Sequence, residues 1–124
     1  MDNPYADEAA ERWGGTDAWA ESQRRTASYG EEDWRRCMAE SGEISARLAA
    51  LMRSGVAASS REATDLAEEH RLHISRWFYE CTPEIHRGLG EMYVADPRFT
   101  ATIDEAAPGL AEYLRAAILS NTAH

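Results

Sequence analysis

The residues able to do covalent or metal chemistry are few, and their spacing says more than their number. His70 and His73 stand three apart on one helical face, where two nitrogens could reach a metal, and His86 could supply a third. No Glu completes an HExxH arrangement around them. The expected role of these histidines is therefore that of polar helix-face residues satisfied by hydrogen bonds, with no metal. Cys81 and His86 could pair as thiolate and imidazole. A cysteine at the last turn of a helix meets the negative end of the dipole, which opposes the thiolate, so no catalytic residue is expected. Gly88-x-Gly90 is too short to be a phosphate cradle, and no cofactor is implied. The acidic runs Glu31-Glu32-Asp33, Glu68-Glu69 and Asp104-Glu105 read as solvated faces and helix-start charges.

Binding chemistry is better represented. Trp77-Phe78-Tyr79, read on a helix, spans most of the circumference, so one ring at least should face a groove or partner. Gly88 and Gly90 each weaken a helix by about 1 kcal/mol against Ala, and close approach of a neighbour or ligand would compensate. Helical spacing places Cys81, Ile85, Gly88 and Met92 near one line. With Trp77 opposite, they are candidates for the apolar floor of a pocket.

The elements that must position these residues are helices. Ala is abundant, β-branched residues are sparse and apolar residues recur at helical spacing, so the fold class is all-α. Asn3-Pro4, Thr82-Pro83 and Asp96-Pro97 each put a cap before a proline, and Pro108 marks a further start. Ser59 with Glu62 and Ser28 with Glu31 read as capping boxes. Helices are predicted at about 4 to 13, 16 to 28, 31 to 53, 61 to 80, 83 to 95, 98 to 106 and 109 to 120. The length of 124 residues suits one domain. Asp plus Glu number 22 against 13 basic residues, all Arg, giving a formal charge of -9 that excludes nucleic acid and an anionic membrane surface as partners. No apolar run or signal segment is long enough for a membrane span, and two cysteines are too few for a disulfide framework, so a cytoplasmic protein with free thiols is expected.

The first third is of another kind. From Asp2 to Glu43 there is no Leu, Ile or Val, and the apolar surface is Tyr5, Trp13, Trp19, Tyr29, Trp34 and Met38. Such a segment has little aliphatic surface to offset an ordering cost of roughly 1 to 2 kcal/mol per residue. Residues 1 to 30 are therefore expected to form a conditional two-helix lid over a cleft in a helical body, 31 to 124.

The sequence also resembles a known family. Glu11-Arg12-Trp13-Gly14 with Thr16-Asp17-Ala18, Thr26-Ala27-Ser28-Tyr29 with Glu32-Asp33-Trp34, and Gly88-Leu89-Gly90-Glu91-Met92-Tyr93-Val94 followed by Asp96-Pro97-Arg98-Phe99, Ile103-Asp104 and Pro108-Gly109-Leu110-Ala111 resemble the TipAS family. Its members are antibiotic-recognition domains of thiostrepton-induced MerR-type regulators. The resemblance implies a globin-like helical fold, a cleft for thiopeptides or other bulky antibiotics, and an N-terminal segment that orders on binding. It matches Trp13, Tyr29 and Trp34 to the lid and His70, Tyr79, Cys81, His86, Leu89, Met92, Tyr93 and Phe99 to the central block. Members that capture dehydroalanine-containing thiopeptides covalently resemble this chain except that a second cysteine stands where Gly88 stands here, so reversible binding is expected.

The functional expectation is non-enzymatic binding and sequestration of an antibiotic. The expected contacts are Trp13, Trp19, Tyr29, Trp34, Met38, His70, His73, Trp77, Cys81, Ile85, His86, Gly88, Leu89, Met92 and Phe99. The chain opens almost directly on this domain, so alone it would lower free drug rather than switch transcription; fusion to a DNA-binding domain and homodimerisation both stay open. The alternatives are a structural or interaction domain with a closed cleft, and a haem or metal protein using His70 and His86.

Overall fold

The computed structural model describes residues 17–122, with side chains from 20 onward. The helix expected at 4 to 13, Trp13 and the side chain of Trp19 lie outside the described residues. Among the described residues the fold is six helices and no strand: α1 Asp17–Thr26, α2 Glu31–Arg53, α3 Arg61–Trp77, α4 Pro83–Ala95, α5 Pro97–Asp104 and α6 Leu110–Thr122.

Local chemistry sets most boundaries. Thr82 Oγ1 accepts from Ile85 N at 3.2 Å and Asp96 Oδ1 from Arg98 N at 3.0 Å, each with Pro at the first helical position. Two expected boxes are displaced. Ser60, not Ser59, caps α3 by accepting from Ala63 N at 3.1 Å. At α2 the cap is Gly30, whose N–H donates to Asp33 Oδ2 at 3.0 Å, in place of Ser28 and Glu31. Pro108 does not open α6. Gly109, at φ +88, turns the chain, and Asp104 Oδ1 accepts from Ala111 N at 2.9 Å. Beyond the end of α2 at Arg53, Gly55 at φ +77 stops the helix, with Gly55 N donating to Met52 O and Val56 N to Leu51 O, a Schellman pattern that needs the left-handed conformation glycine supplies.

The main core joins α2, α3 and α6 through Ile44, Leu48, Leu66, Leu110, Leu114 and Ile118. A second cluster, Ile74, Cys81, Leu89 and Met92, lies between the end of α3 and α4. α4 packs on α6 through Gly90, where an added Cβ would stand 3.4 Å from Ile118 Cδ1. Gly88 has nothing within 4 Å and lies exposed, so the close approach expected at both glycines occurs at Gly90 only.

Candidate functional site

The site is built around the joint between α3 and α4. α3 was expected to run to residue 80 and instead ends at Trp77. Thr82 must be extended (φ -72, ψ 163) to cap α4 ahead of Pro83, which leaves the preceding residues to turn the chain. Ser75 Oγ accepts from Cys81 N at 3.0 Å and Arg71 Nη1 donates to Cys81 O at 2.8 Å, fastening the turn. Trp77, Phe78 and Tyr79 therefore do not ring a helix: Trp77 is buried and the other two are half-buried, so none stands free as the helical reading required.

That ending leaves carbonyls of the last turn without intrahelical partners, and the segment before α2 supplies them. Arg25 Nη1 donates to Ser75 O at 2.5 Å, bringing a cation to the negative end of α3, and Tyr29 Oη donates to Trp77 O at 2.5 Å. Glu21 Oε1 accepts from Glu80 N at 3.4 Å. The Tyr29 ring stands edge-on to Trp34 at 5.5 Å and to Trp77 at 5.6 Å, while Phe78 tilts against Trp34 at 6.2 Å.

Beneath this aromatic junction lies a polar hub. Glu40 Oε1 accepts from His73 Nδ1 at 3.1 Å, Arg76 Nη1 at 2.9 Å and Trp77 Nε1 at 3.0 Å. Burial alone would raise the Glu40 pKa, but the hydrogen bonds from Trp77 and His73 and the Arg76 charge prevail and hold it below its ordinary value. His73 Nε2 lies 3.9 Å from Cys37 Sγ. Burial, then the charge of Glu40, pushes the Cys37 thiol up to about 11.

His70 and His86 form a second pair, stacked at 5.1 Å with His70 Nδ1 and His86 Nε2 2.8 Å apart. Burial, followed by the neighbouring His86, pushes His70 down to about 3; burial, then the Arg71 charge, brings His86 to about 4. Both are neutral near pH 7. His86 Nδ1 is buried without a partner. With His70 Nδ1 and His86 Nε2 in direct hydrogen-bond contact, neither is open to a metal ion between the rings.

The proposed pocket floor divides. Cys81 and Met92 are buried, whereas Ile85, at 37%, and Gly88 are exposed on the outer side of α4. Cys81 follows the end of α3 rather than closing it. Its thiol is pushed up to about 11 by burial, with Arg71 opposing, and not by a helix dipole. Leu89 is buried with Met92 in the second cluster, against which Phe99 packs; Met38 is exposed on α2. A groove of about 300 Å³ between α2 and α3, with Ile44 and Leu72 between Glu43, Arg47 and Arg76, contains only His73 of the expected contacts. Sequence reasoning missed Glu40, Arg25 and Cys37. Glu40 is one turn from Cys37, but its partners lie in α3, and no local pattern announces them.

Among the described residues no three His, Cys, Asp or Glu side chains converge as a metal cage, and no helix is long and apolar enough to cross a membrane. Comparison with known proteins gives relatives throughout. The transcriptional activator TipA of Streptomyces coelicolor is 53% identical over 117 residues, 94% of this chain and 46% of that protein. The activator mta of Bacillus subtilis is 42% identical over 93% of this chain and 44% of its own length, and the regulator SkgA of Caulobacter vibrioides 34% identical over 92% and 43%. The chain thus spans about half the length of these relatives. TipAS in complex with nosiheptide, from a thiopeptide antibiotic multidrug resistance system of Streptomyces lividans, superposes with a TM-score of 0.90 at 51% identity, over 98% of this chain and 87% of that one. The antibiotic-binding domain of a TipA-class multidrug resistance transcriptional regulator gives 0.67 at 51% identity, over 73% of this chain and 96% of that one. The fold is all-α and globin-like, as in these domains. The family model for the TipAS antibiotic-recognition domain matches residues 5–121, and the chain belongs to that family.

Proposed function

We propose that this domain binds bulky natural-product antibiotics of the thiopeptide class reversibly and without altering them. One observation carries the reading: over 98% of its length the chain follows, at a TM-score of 0.90, a TipAS structure that holds nosiheptide. Residues 1 to 30 act as a lid on the body, 31 to 124, and close by capping the end of α3 through Arg25 and Tyr29. The ligand lies against Tyr29, which Trp34 and Trp77 back from beneath, and the exposed Ile85, Gly88 and Met38, with Trp13 and Trp19 contributing from the lid side. Cys81, His86, Leu89 and Met92 support that surface from within, with His70, His73 and Phe99 beside them. Gly88 offers no sulfur, so binding there stays non-covalent.

The relatives that share this domain are transcriptional regulators about twice its length, and the domain serves as the effector part of such a regulator or as a cytoplasmic drug sink. Thermal unfolding with nosiheptide tests the reading. A ligand selective for the folded state adds about 2.7 kcal/mol at a hundredfold excess over Kd. Tm should climb with the logarithm of nosiheptide concentration, and Trp13→Ala should reduce the gain; a flat Tm up to the solubility limit would exclude thiopeptide binding.

A further inference from the structure

We propose that Cys37, His73 and Glu40 form a nucleophilic thiol site for soft carbon electrophiles, closed off by the segment that ends at Tyr29. Glu40, as a carboxylate, only accepts, so the proton on His73 resides at Nδ1, 3.1 Å away. The opposite nitrogen, Nε2, therefore turns a lone pair toward Cys37 Sγ at 3.9 Å. Thiol, imidazole and carboxylate thus stand in the order of a nucleophile, its base and the group that orients the base. Arg76 and Trp77 donate to the same Glu40 oxygen, which fixes the carboxylate and through it the ring.

With the segment in place the site is sealed, Cys37 being 1% exposed and its thiol protonated by burial. Trp34, one turn before Cys37 on the same buried face of α2, carries the Tyr29 ring edge-on. The described part of the closure is lightly held. Between residues 20 and 28 only Ser22 is buried, and the tethers to the body among the described residues are the side chains of Glu21, Arg25 and Tyr29. A unit with few buried apolar contacts opens at low free energy. On opening, the Cys37 proton passes to His73 Nε2, a sulfur–carbon bond forms, and the carbon's leaving group departs with its electron pair, while Glu40 balances the imidazolium. Other charged and titratable groups nearby are His70 and Arg76 from α3, Tyr29 with Arg25 and Asp33 beside it, and Arg36, which stands over the Trp77 ring. Cys81 makes no such contact, its sulfur donating to Thr82 O at 3.9 Å.

The inference shares the segment ending at Tyr29, and Trp34, His73 and Trp77, with the antibiotic reading, but its test uses no antibiotic, so the two can fail separately. The full chain is alkylated with iodoacetamide near pH 7.5 and each cysteine followed by peptide mass spectrometry. Tyr29→Phe keeps the ring but removes the bond to Trp77 O, and should speed Cys37 by about five- to tenfold with Cys81 unchanged. His73→Gln added to that variant should slow Cys37 by about tenfold and move its half-maximal pH upward. If circular dichroism finds that double variant unfolded, Glu40→Gln in its place should move the profile the same way. Equal acceleration of both cysteines by Tyr29→Phe, or a Cys37 pH profile indifferent to losing His73 or Glu40, would overturn the site.

Discussion

His70 and His86 fix how this molecule should respond to acid. Both are held below the ordinary value of 6.5, to about 3 and about 4, because burial penalises the imidazolium, with His86 adding to the effect on His70 and the Arg71 charge to that on His86. The unfolded chain therefore binds more protons than the native one between those limits. Native stability is complete above about pH 6.5 and declines as pH falls toward 4. Glu40 and Glu68, held below their ordinary 4.5 by hydrogen bonds from Trp77, His73 and Arg71, act in the same direction only under more acid conditions. Urea unfolding should give a lower midpoint near pH 5 than near pH 7, and His86→Leu should flatten that difference. Equal midpoints in the native chain would mean that the pair is not shielded from water.

At the scale of elements, α1 is set apart by how it is held. The other helices contribute apolar side chains to one of the two clusters or pack on them, whereas among the described side chains of α1 and the turn after it, Arg25 and Tyr29 reach the body by capping the end of α3. Arg25 is central, since it also pairs with Glu21 at 2.5 Å and so links both tethers. Arg25→Ala should speed amide exchange over residues 20 to 28 by about tenfold and leave α3, α4 and α6 unchanged, as for a unit that opens separately. Acceleration throughout the chain would place α1 inside the cooperative core instead.

For the molecule as a whole, the lid reading ties affinity to folding. Ordering a segment onto a ligand buries apolar surface from both, and the durable signature is a large negative heat-capacity change. Titration calorimetry of nosiheptide at several temperatures should give a steep negative slope of enthalpy. The slope should shrink markedly in a chain lacking residues 1 to 16. Unchanged slopes would mean that the body alone accounts for the burial.

Apolar spacing, proline-linked caps and glycine joints located the six described helices, because those signals act within one or two turns and need no partner. The deficit of aliphatic residues before Glu43 likewise sets the opening segment apart in the sequence, and the ordered matches from Glu11 to Ala111 point to the family. Tertiary structure alone decided which side each residue serves. Gly90 meets Ile118 while Gly88 faces solvent, and Cys81 turns inward while Ile85 turns outward, because α6 covers only one side of α4. The end of α3 at Trp77 followed from the demands of Thr82 and Pro83 on the chain beyond it, which no local pattern around Phe78 reveals. Glu40 and His73 meet across 33 positions, and Tyr29 and Trp77 across 48, for the same reason: a hydrogen bond between helices depends on how they pack, and packing is a property of the assembled core.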